Sequence, residues 1–68
     1  MDQDLVDKII ALDISGIDVG IAELLSHYPD DIETLISGEM PYNLAYKIGT
    51  EGAAIISQNI DKFSQLKL

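Results

Sequence analysis

MPYNLAYKIGTEGAAIISQNIDKF, residues 40–63, is where helix signals, punctuation and an apolar face agree. Pro41 suits the first turn of a helix, where its missing N–H costs little. Leu44, Ala45 and Ile48 then recur at helical spacing. Gly49 can end that helix in the left-handed conformation a stop requires. Thr50 can cap the next helix by accepting backbone N–H bonds. Ala53, Ile56, Ile60 and Phe63 follow at three- and four-residue intervals as one stripe. The reading is a short helix, a tight turn and a longer helix, with room for a helix-turn-helix-like hairpin at 41–63.

Working back towards the start, the same signals predict three more helices. Asp2 or Asp4 can cap a first one running to about Leu12, with Leu5, Val6, Ile9 and Ile10 on one face and Asp7 and Lys8 opposite. The segment DISG, Asp13–Gly16, breaks it. Asp18 caps a second, in which Val19, Ile21, Ala22, Leu24, Leu25 and Tyr28 are apolar. Pro29 stops it by pushing the preceding residue out of helical geometry. A third, about Pro29–Ser37, begins acidic (Asp30, Asp31, Glu33), turns Ile32, Leu35 and Ile36 inward and ends at Gly38. Working forward, the tail FSQLKL, 63–68, permits a short strand or a frayed end. The fold class expected is all-α, a small bundle of four to five short helices in one domain, 1–68.

Composition narrows the function classes. The chain has 68 residues and no cysteine, so disulfides and thiolate metal sites are excluded. One histidine is too few for a structural zinc site. A domain this small is marginally stable unless supplemented. By elimination, the supplement expected is another chain. Apolar residues make up 47% of the sequence, and its many Ile and Leu side chains exceed what so small an interior is expected to hold, leaving some to meet another protein. The amino terminus, MDQDLVDK, is acidic where a secretory signal is basic. No apolar run approaches the roughly 18 residues of a spanning helix. A cytoplasmic protein with no membrane contact is the expectation.

The net charge of −8 is uneven. Residues 1–40 carry ten Asp or Glu against Lys8, and residues 41–68 carry Glu51 and Asp61 against Lys47, Lys62 and Lys67. Nucleic-acid binding needs a basic footprint to displace counterions, and none is present. DNA as a partner is therefore disfavoured, as is an anionic membrane.

The small-residue, glycine, β-branched spacing of Ala45, Gly49 and Ile55 fits a helix-turn-helix. Its second helix offers base edges only Gln58 and Asn59, late, with no Arg or Lys in the first turns. Helical-hairpin packing is the preferred reading. His27 and Asp31 are four apart, but Pro29 breaks the register that would join them. The Asp30–Asp31–Glu33 cluster is explained by the positive end of a helix. DISGIDVGIAEL lacks calcium ligands, with Ile17 fifth and Leu24 in the place of the bidentate glutamate. GTEG, 49–52, lacks the lysine of a phosphate loop and carries Glu51 where phosphate would sit. Ser26 and His27 point to different helix faces and make no nucleophile–base pair. No catalytic, cofactor-binding or metal residue is assigned, and neither an enzyme nor a small-molecule substrate is expected.

Tyr42 and Tyr46, four apart, can anchor an interface or edge the core with hydroxyls in water. The partner-binding residues expected are Tyr42, Tyr46, Ile56, Ile60 and Phe63. Pro41, Leu44, Ile48, Gly49, Glu51 and Ala53 also make the segment from Met40 onward similar to the N-terminal domain of Mor-family phage transcription activators. In that family a proline-led helix, an Ile-Gly-x-Glu turn and an alanine-rich helix precede paired glycines and a strand used to pair subunits. This chain has Asp61 and Lys62 at the glycines and lacks the family's separate basic DNA-binding domain. The resemblance implies a dimerisation module. The function expected is a non-catalytic protein–protein interaction or regulatory module that self-associates, as a dimer at micromolar concentration. The alternative is an acidic inhibitor that mimics nucleic acid towards a basic protein. A DNA-binding helix-turn-helix ranks last.

Overall fold

The computed structural model describes residues 2–68. Its first helix, α1 (Gln3–Ala11), starts where Asp2 places its carboxylate to accept the Leu5 N–H at 3.2 Å. Leu5, Val6 and Ile9 turn inward, as their spacing requires; Ile10 stays 38% exposed, on the edge of the apolar stripe rather than within it. Asp13 and Gly16 both take positive φ in the connection that follows. Ile14 between them is buried. A Cβ on Gly16 would stand 2.6 Å from the Ile55 side chain, so this loop lies directly against a later helix.

Asp18 caps α2 (Val19–Ser26), its carboxylate accepting the Ile21 N–H at 2.9 Å. Ala22 and Leu25 are wholly buried, whereas Val19 and Leu24 are exposed and Ile21 is half-buried. A helix this rich in aliphatics cannot turn all of them to one side, and the expected inward set narrows accordingly. Pro29 opens α3 (Pro29–Ile36), which buries Ile32 and Leu35 and stops before Gly38 at φ 95°.

The carboxy-terminal part departs more from expectation. Pro41 is buried but precedes a turn, because Asn43 takes a left-handed φ of 61°. Only then does α4 (Leu44–Ile48) form, five residues long and little more than a single turn. Gly49, at φ 96° and ψ 152°, reverses the chain, and α5 (Thr50–Ser57) begins immediately. Thr50 is therefore the first helical residue and makes no capping hydrogen bond. The long last helix is in fact two, since Gln58 and Asn59 form a turn before α6 (Ile60–Phe63). Asn59 donates its side-chain amide to the Ile55 carbonyl at 2.7 Å, and the Ser57 hydroxyl donates to the Ala54 carbonyl at 2.8 Å. Such bonds compete with continuation of a helix. Geometry favours the break as well. An unbroken helix from Thr50 to Phe63 would run roughly 20 Å, nearly the full width of a molecule of 24 × 22 × 22 Å. The turn instead folds Phe63 back onto α3, where it is fully buried.

The tail is neither strand nor frayed end. Ser64 and Gln65 turn, and Leu66 is buried in the core. Helix α1 packs on α2, α2 on α3 and α4, α4 on α5, and α3 on α6. The result is an all-helical bundle around one cluster that takes side chains from every helix. Among the described residues, no helix is long and apolar enough to cross a membrane.

Candidate functional site

The interior holds more than composition suggested. Among the Ile and Leu side chains, only Ile10, Leu24 and Leu68 are exposed; the others are buried or packed partly buried against the core. The premise of an aliphatic surplus looking for a second polypeptide is thus not met.

Ile56 and Phe63 are completely buried, so they are core residues and cannot face a partner while this fold holds. Their periodicity marked a face correctly, but that face is the inner one. Ile60 is half-buried against the core. Tyr42 and Tyr46 behave in the opposite way. They are 87% and 90% exposed, far beyond a residue that edges a core. Leu44 and Ile48 turn α4 inward, and Tyr46 lies off that stripe. Tyr42 lies in the turn before α4, and the left-handed Asn43 between them interrupts the four-residue helical relation.

Beside Tyr46 the surface dips into an open hollow of about 350 Å³, bordered also by Ala45 and Thr50. Ala45 is exposed. In a helix-turn-helix it would have let the helices approach. Here that role falls to Gly52 and Ala53, both buried, and a Cβ on Gly52 would reach Ile21 of α2 at 3.4 Å. The hollow was not foreseen. Its signal was available, since Ala45 lies one position off the Leu44–Ile48 stripe.

Sequence reasoning also missed a contact between α3 and α4. Lys47 donates to the Asp31 carboxylate at 2.7 Å and places its ammonium 5.1 Å from the Tyr28 ring centroid. Sixteen residues separate the ion pair, and no local pattern announces it. Lys47 is thereby neutralised at the edge of the tyrosine surface, and Asp31 is taken from His27, which is exposed.

The chemistry elsewhere is sparse. The Ser26 hydroxyl is turned into its own helix, donating to the Glu23 carbonyl at 2.7 Å. Asn59, one of two side chains considered for base reading, spends its amide on Ile55. Among the described residues, no group of three or more His, Asp or Glu is placed to hold a metal ion. A second cavity, about 210 Å³, lies among Asp2, Asp4, Leu5, Lys8, Pro29 and Leu68. Its one cation, Lys8, pairs with Asp4 at 3.3 Å, an exposed pair of little energetic consequence.

Comparison with known proteins identifies no relative. The chain matches no family model, no curated protein and no solved structure. The surface offers two bare tyrosines, a shallow open hollow beside one of them, and an acidic first half.

Proposed function

We propose that the protein is a non-catalytic, self-associating interaction module of a regulatory kind, working through the surface that carries Tyr42 and Tyr46. The observation behind this reading is their exposure, 87% and 90%. Tyrosine carries a large apolar ring and a polar tip, and is enriched where proteins meet. The similarity of residues 40–60 to the Mor-family dimerisation domain is consistent with it. Any pairing here would have to proceed without that family's strand, because 63–68 is helix end, turn and coil.

Two tyrosines bury about 300–500 Å² together, against roughly 800 Å² per partner in a stable complex. With most aliphatics absorbed by the core, the micromolar dimer expected from composition gives way to a weaker, transient one. Sedimentation equilibrium from about 10 µM to about 1 mM tests it. Concentration-dependent mass is the expected result; a monomer throughout overturns self-association.

The acidic inhibitor is a second reading, favoured by the exposure of Asp2, Asp4, Asp7, Asp13, Asp18, Asp30, Glu33 and Glu39. Several of these carboxylates have a local purpose: Asp2 and Asp18 cap helices, and Asp30 sits in the first turn of α3. Binding to a basic protein should collapse with added salt, whereas association through tyrosines should change little.

A further inference from the structure

We draw no further inference here: the strongest candidate, the exposed surface of α4 and the turn before it that carries Tyr42, Tyr46 and the shallow hollow at the α4–α5 junction, belongs to the site already described, and nothing in the structure shows what covers it.

Discussion

Residues 2–38 and residues 39–68 build their helices by different means. In the first region, α1 and α2 are each opened by an aspartate that accepts a backbone N–H three residues on, and α3 begins with proline and two further aspartates. Its helices run eight or nine residues. In the second region α4, α5 and α6 have five, eight and four residues, and none has a side-chain cap. Helices that short are not stable alone in water. They are held by what they bury: Leu44, Ile48, Ala53, Ile56, Phe63 and Leu66. The first half is specified largely by local chemistry and the second by tertiary packing. The same division separates the strongly acidic surface from one with few carboxylates.

The largest expected effect lies in the second region. Phe63→Ala removes a fully buried ring, typically at a cost of about 3–5 kcal/mol. A domain of this size rarely has more than about 3–5 kcal/mol of stability, so the variant should be largely unfolded at 25 °C by circular dichroism. A cooperative melt near that of the parent would show that α6 is peripheral and would erase the contrast.

Gly49→Ala comes next. A Cβ there meets nothing within 4 Å, but φ of 96° with ψ of 152° disfavours any L side chain. The strain expected is about 1–3 kcal/mol, read as a lower urea midpoint with unchanged slope. No change would mean that the chain reverses equally well by another route.

Asp18→Ala sharpens the comparison from the other side. Losing the cap of α2 should cost about 1 kcal/mol, or roughly 4–8 °C in melting temperature for a domain of this length. Asp18→Asn should retain most of that, since an amide oxygen accepts the Ile21 N–H equally well. If Asn fails as badly as Ala, charge rather than capping geometry matters at that site.

Tyr46→Ala should have the smallest effect on folding, within about 0.5 kcal/mol, because the side chain is 90% exposed. Its consequence should appear in association alone. A large loss of stability would mean that the ring supports the fold, and the surface reading of α4 would fail with it.

Much of the fold was legible in the residues. The aspartate caps, the stops at Pro29 and Gly38, the reversal at Gly49 and the all-α class follow from backbone chemistry that acts within a few positions. The misreadings share a cause. Periodicity says that Ile56, Ile60 and Phe63 share a face, but not whether that face looks inward or outward. Ile56 and Phe63 proved to be core. A helix-turn-helix spacing would turn Ala45 inward, whereas the direction of α4 puts it outside. Of the proposed partner surface, Tyr42 and Tyr46 were named from sequence; the hollow beside Tyr46 and the Lys47–Asp31–Tyr28 contact were not.

By itself the sequence determined which segments are helical, where most of them begin, and how charge divides along the chain, because each of these depends on near neighbours. Tertiary structure alone decided that the last helix breaks at Gln58–Asn59, that Phe63 and Leu66 complete the core, and that most of the aliphatic side chains find room inside. Those outcomes depend on how volumes from separate helices fill one shared space, and no local pattern encodes that sum.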